Sequence, residues 1–185
     1  MRFVCFGDSN TYGYDPRSFL GGRYPAEHRW VDLLAEATGW EIENLGMNGR
    51  SIPAAPDEFL LRSCAVADGI IVMLGSNDLL QSTGAEGAAA HMKLFLRQLP
   101  KRPVLLVSPP PMIPGTWVTE DQLLTESRKL PLLYEALSRR MDNLFFADAG
   151  KWGVELLFDG VHFSEAGHHA FAAGIREAMR QCSWG

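Results

Sequence analysis

Short apolar runs recur along the chain, separated by longer stretches in which apolar residues return with a helical period. The runs cover residues 3–6, a weaker 42–45, then 70–74, 104–107 and 144–147. Each predicts a strand that is apolar on both faces because helices cover both sides of its sheet. The intervening periodic stretches predict helices over residues 27–38, 56–66, 85–99, 120–141 and 164–182. Leu94, Leu99, Leu130, Leu133, Leu137, Phe171 and Ile175 are expected to supply their core-facing stripes. Strand and helix in alternation point to a doubly wound, three-layer α/β fold with a parallel sheet. Two loops interrupt the pattern. Residues 12–28 are rich in Gly, Pro, Arg and Tyr, and residues 109–119 carry Pro109, Pro110, Pro111, Pro114 and Gly115. Both follow strands at the carboxyl edge of the sheet, where open α/β sheets bind ligands.

Composition narrows the picture without changing it. A chain of 185 residues is expected to form one domain, residues 1–185, with a core large enough to need no disulfide or structural metal. Its 46% apolar and 21% charged residues are those of an ordinary globular protein. A formal charge of −5, with no basic run, argues against a nucleic-acid partner. The three cysteines, Cys5, Cys64 and Cys182, have unrelated spacings and offer no zinc site. No apolar segment approaches the roughly 18 residues of a membrane span. The first residues, MRFVCFGDSN, are too short an apolar stretch for a signal peptide, so the chain reads as cytoplasmic.

Candidate chemistry gathers just past the strands. Gly7-Asp8-Ser9-Asn10 follows the first run, Gly46-Met47-Asn48-Gly49 the second and Gly75-Ser76-Asn77-Asp78 the third. In a parallel sheet these positions converge on one edge. Asp159-Gly160-Val161-His162, between the last strand and the last helix, can fold over the same edge. Acyl transfer needs such a set. A serine hydroxyl is a weak nucleophile until a base takes its proton, and histidine serves near neutral pH. The histidine needs a carboxylate to fix its tautomer. Asp159 and His162 are close enough in sequence for one turn to bring them together; Asp148, at the end of the last strand, is the rival partner. The backbone N–H groups of Ser9 and Gly49 and the amide of Asn77 are suitable donors to an oxyanion. Asp8 and Asp78 are expected to tie loops through backbone N–H groups. Arg50 is expected either to contact substrate or to bind a neighbouring loop. The His168-His169 doublet lies on a helix, where adjacent residues diverge, and makes a poor metal site.

These blocks together resemble the SGNH, or GDSL-type, hydrolase family. Ser9, Gly49, Asn77 and His162 match the four residues of that name. The likeness runs from FGDSNTYG through NLGMNGRS and LGSND to DGVHFSEAGH. It implies a flavodoxin-like sheet of strand order 2-1-3-4-5, a Ser9–His162–Asp159 triad, and no metal or organic cofactor. FGDSNTYGYDP, HRW, GRS and VSPPPMIP look closest to bacterial arylesterase-like members, which act on short acyl esters and some of which form peracids. Tyr12 and Tyr14 stand where such relatives often carry Trp, and loops that build large oligomers in some of them look short. Homo-oligomerisation is left open.

Tyr12, Tyr14, Met112, Ile113 and Trp117 are expected to close a compact apolar pocket for a short acyl group, with Trp117 equally able to anchor its loop. Arg17, Arg23 and Arg50 at the rim would suit a polar alcohol. The expected substrate is a small-molecule ester. A carbohydrate or natural-product deacetylase, an acyl thioesterase or lysophospholipase, and a flavodoxin-like ligand-binding module are the alternatives. The last leaves Asn77 and the Asp159–His162 pair unexplained.

Overall fold

The computed structural model describes residues 1–18, 20–182 and 184. Its five strands, β1 (Arg2–Gly7), β2 (Glu41–Gly46), β3 (Gly69–Met73), β4 (Val104–Ser108) and β5 (Leu144–Asp148), form a parallel sheet in the order β2-β1-β3-β4-β5. The helices are α1 (Ser9–Tyr12), α2 (Trp30–Thr38), α3 (Glu58–Ala65), α4 (Ser76–Leu80), α5 (Gly84–Leu96), α6 (Asp121–Ser138) and α7 (Glu165–Gln181).

Alternation along each strand divides the core into two layers. Val4, Phe6, Ile70, Val72, Val104 and Leu106 face α3, α5 and α6, where they meet Leu60, Met92, Phe95, Leu130 and Tyr134. Phe3, Cys5, Ile71, Met73, Leu105 and Val107 face α2 and α7 and meet Trp30, Leu34, Phe171 and Ile175. The fold is therefore a three-layer α/β/α sandwich. Because β1 has β2 on one side and β3 on the other, the order in which strands are added to the sheet reverses there, opening a crevice at the carboxyl ends of these strands.

The expected strands are all present, but two are not buried on both faces. β2 is half-exposed along most of its length, and Phe145 of β5 is 37% exposed. Both are edge strands, which the helical layers only partly cover. Leu94 is also corrected: it is 56% exposed, because Ala88, Met92, Phe95 and Leu96 form the buried stripe of α5. The helix expected from residue 27 starts at Trp30 after a 3-10 turn, Ala26–His28. Two ends are fixed by caps: Asp57 accepts from Leu60 N–H (2.7 Å), and Ser164 from Gly167 N–H (3.0 Å). Fully buried His168 instead accepts Trp30 N–H at the start of α2 (3.4 Å); burial pushes its pKa down to about 3, which keeps the ring neutral. Among the described residues no helix is long and apolar enough to cross a membrane, and no cluster of His, Cys, Asp or Glu could hold a metal ion.

Candidate active site

Ser9 opens α1, a single four-residue turn directly after β1. Asp8 caps it, accepting Asn10 N–H at 3.0 Å, and Gly13 closes it in the left-handed conformation. The Ser9 segment is thereby tied to the strand end.

The loop before α7 brings His162 over the same edge. Asp159 Oδ1 accepts the N–H groups of Val161 and His162, both at 2.9 Å, and Oδ2 lies 2.7 Å from His162 Nδ1. His162 Nε2 is 2.9 Å from Ser9 Oγ. Burial alone would raise the Asp159 pKa, but the hydrogen bonds from the His162 ring and the two N–H groups outweigh it and hold the carboxyl below its ordinary value. An ionised carboxylate only accepts, so Nδ1 carries the ring proton and Nε2 faces Ser9 as an acceptor. His162 is 2% exposed and Ser9 6%. Such an arrangement can take a proton from the hydroxyl. Asp148 is elsewhere, accepting Gly150 N–H at 2.9 Å and lying 3.3 Å from Ser108 Oγ.

Ser9, His162, Asn48, Gly49, Asn77, Tyr14 and Trp117 line a cleft of about 240 Å³. Gly49 has φ +72°, a conformation that few other residues adopt. Asn77 Nδ2 donates to Arg50 O at 3.0 Å, and the second hydrogen of that amide remains for the cleft. Asp78 accepts Ile52 N–H at 3.1 Å, so the glycine and asparagine loops are cross-linked twice. Tyr14 and Trp117 stand edge-on to the His162 ring, each with centroids 4.9 Å away. A larger cleft, about 470 Å³, lies at the β5 edge among Phe145, Asp148 and Trp152, away from these groups.

Six residues expected at the pocket or its rim, Tyr12, Arg17, Arg23, Arg50, Met112 and Ile113, lie outside this lining. Arg50 turns inward, donating to the carbonyls of Gly7 (3.0 Å) and Leu45 and stacking on Phe6. It is the loop tie of its two expected roles. Met112 is 3% exposed and belongs to the core beside α6, where its N–H donates to Ser127 Oγ (3.1 Å). Tyr12 lies under the Arg23 guanidinium, 4.5 Å from its ring. Arg17 is likewise engaged, with Asp15 and Glu165. Asn48 was not expected in the lining; its place beside Gly49 is the signal that could have found it. The proline-rich segment is laced to the histidine loop: Ile113 N–H donates to Gly160 O (3.2 Å), Thr116 N–H to Phe158 O (3.0 Å) and Trp117 N–H to Asp159 O (3.1 Å).

Asp8 is 1% exposed and one of its oxygens, Oδ2, has no partner. Burial pushes its pKa up to about 6, and the Asn10 N–H and nearby His162 pull it only part of the way back. The folded state then binds this proton more tightly than the unfolded chain, whose carboxyl titrates near ~3.9. The charge therefore costs stability above about pH 6, and that cost vanishes below the unfolded value. Asp8→Asn keeps a capping side chain. It removes roughly 3 kcal/mol at 1.36 kcal/mol per pH unit, offset in part by burying an amide. Thermal melts should find it more stable than wild type by about 1–2 kcal/mol at pH 8, the gap closing toward pH 4. A gap independent of pH would show that the buried charge is not its cause.

The fold and its structural relatives define a carboxylic ester hydrolase. A carbohydrate acetylesterase family member from Sinorhizobium meliloti shares 26% identity over 97% of both chains, with a TM-score of 0.83. The inhibitor-bound M. smegmatis aryl esterase shares 26% over 97% of this chain and 98% of its own, with a TM-score of 0.82. A putative arylesterase from Agrobacterium tumefaciens shares 28% over 97% and 98%, with a TM-score of 0.79. The chain belongs to the GDSL-like lipase/acylhydrolase family, whose model matches residues 5–170. No curated protein matches the sequence.

Proposed function

We propose that the protein hydrolyses short-chain acyl esters, acetyl esters foremost, through a Ser9 acyl-enzyme. The observation that carries this reading is the continuous contact from Asp159 Oδ2 through the His162 ring to Ser9 Oγ, with separations of 2.7 and 2.9 Å, opening into a small cleft. His162 takes the Ser9 proton as Oγ attacks the ester carbonyl, then returns it to the departing alcohol. Water repeats the sequence on the acyl-enzyme. The N–H groups of Ser9 and Gly49 and the Asn77 amide receive the oxyanion, and Ser9 N–H belongs to a helix start whose first N–H groups have no helical partner.

Size supports the short chain. About 240 Å³ is below the ~300–1,000 Å³ typical of drug-sized sites, a size that suits an acetyl or butyryl group better than an extended alkyl chain. The alcohol half is aryl or carbohydrate, the two kinds named in the similar structures. Trp117, half-exposed at the cleft, offers either ring a flat apolar surface.

Hydrolysis of p-nitrophenyl esters from acetate to decanoate tests the reading. kcat/KM should peak at two to four carbons and fall at least about tenfold by octanoate, each misplaced methylene being worth roughly 1 kcal/mol or more. A maximum at octanoate or decanoate would reassign the protein to long-chain thioesters or lipids.

A further inference from the structure

Asn10 follows the proposed nucleophile, is 1% exposed, and is absent from the cleft lining. Its Nδ2 donates to Val161 O at 3.1 Å, and its Oδ1 accepts Phe163 N–H at 3.0 Å. These two backbone groups flank His162. Reversing the amide would set donor against donor and acceptor against acceptor, so this orientation alone satisfies both. The other side of the same segment is held by Leu157 N–H to His162 O (2.8 Å) and Ser164 N–H to Glu155 O (3.0 Å). Asn10 is itself anchored, by its N–H to Asp8 Oδ1 and by Trp30 Nε1–H to its carbonyl (3.1 Å).

We infer that Asn10 is a positioning residue whose amide sets the Ser9–His162 separation by tying the backbone around the base to the backbone beside the nucleophile. The inference rests on the serine mechanism above. Ser9 and His162 are 153 residues apart along the chain, yet through this amide each is one residue from the tie. Asp159 orients the ring within its own loop. Among the described residues, the hydrogen bonds joining that loop to the segment of residues 8–14, apart from the Ser9–His162 contact, come from Asn10. A proton transfer over 2.9 Å tolerates little drift, and a misplacement of about 1 Å can cost on the order of 100-fold in rate.

Asn10→Leu has similar bulk and no hydrogen-bonding group. With p-nitrophenyl acetate its kcat should fall about 10- to 100-fold while KM stays within about threefold. Covalent capture of Ser9 by a fluorophosphonate should slow in parallel. The low-field proton resonance of His162 Nδ1–H should persist, because Asp159 and His162 share one loop. Ile70→Val, a core truncation at the amino end of β3, controls for stability and should lower Tm without changing kcat. Asn10→Asp keeps the acceptor for Phe163 N–H and loses the donor to Val161 O. It serves if the leucine variant does not fold, with a loss of about tenfold expected in the same readouts. A kcat within twofold of wild type, a loss confined to KM, or disappearance of the low-field resonance would overturn the inference. His162→Ala run alongside separates the two readings. If it retains the rate, the serine mechanism itself is wrong; if it is inactive while the folded Asn10 variants match wild type, this inference alone fails.

Discussion

Ser9→Ala should abolish turnover, lowering kcat for p-nitrophenyl acetate by on the order of 10⁴–10⁶ while leaving substrate affinity within a few-fold. The substitution removes one oxygen whose contact is His162 Nε2 at 2.9 Å, so the cap at Asp8, the grip of Asn10 and the cleft walls stay as they are. The oxyanion donors also remain, since one is the backbone N–H of position 9. What is lost is the covalent route. Only the donors' stabilisation of direct water attack is left, a residual activity above the uncatalysed rate. Steady-state kinetics paired with equilibrium binding of a non-hydrolysable ester analogue make the measurement. A variant keeping a tenth of the wild-type rate would remove Ser9 from the chemistry.

Asp159→Asn should come close behind, with kcat falling about 10⁴-fold in a protein that still folds. Oδ1 accepts two backbone N–H groups, so the retained oxygen of asparagine is held in that place and its nitrogen takes the position of Oδ2. That nitrogen donates. It can meet Nδ1 only if the ring moves its proton to Nε2, which turns the face presented to Ser9 from acceptor to donor. Asp159→Ala would additionally strip the Val161 and His162 N–H groups of their acceptor. It should therefore melt at a lower temperature than Asp159→Asn while being no less inactive. Thermal melts and kinetics on the pair read out the two functions of one carboxylate. An asparagine variant within about 100-fold of wild type would demote the carboxylate to a loop fastener.

The central strands were legible because Val4, Ile71 and Leu105 sit in runs that are apolar on both faces. β2, with Glu41, Glu43 and Asn44, was fainter for the reason its exposure shows: it is an edge, where the pattern relaxes. α4 escaped notice because five residues are too few to display a period. Leu94 misled because a leucine on a helix looks like core until the small residues beside it, Ala88 and Ala89, are seen to be the packed ones. At the site, Asp159 and His162 could be paired on the page because their contact is local. The loops carrying Ser9, Gly49 and Asn77 could be gathered because a parallel sheet aligns its strand ends. Side-chain direction was the part that could not be read. Arg50 and Met112 occupy the expected loops but point into the protein, which depends on the carbonyls and core surface waiting there. Asn10 was passed over because its partners lie at the far end of the chain.

The lacing of residues 113–118 to residues 157–160 sets the terms on which the protein could acquire new substrates. A Cβ on Gly115 would lie 2.4 Å from the carbonyl carbon of Asp159, so the two segments are stacked backbone against backbone. Lengthening or re-angling the proline-rich segment to admit a bulkier ester would drag on Asp159 and, under the proposed mechanism, selectivity and rate would decline together. The Trp117 side chain is half in solvent, and its backbone does the fastening. Exchanging that one ring reshapes the entrance and removes its edge contact with the His162 ring, while the backbone fastening and the Asp159–His162 contact do not depend on it. Diversification therefore has a narrow open lane at position 117, flanked by chain whose length is not negotiable.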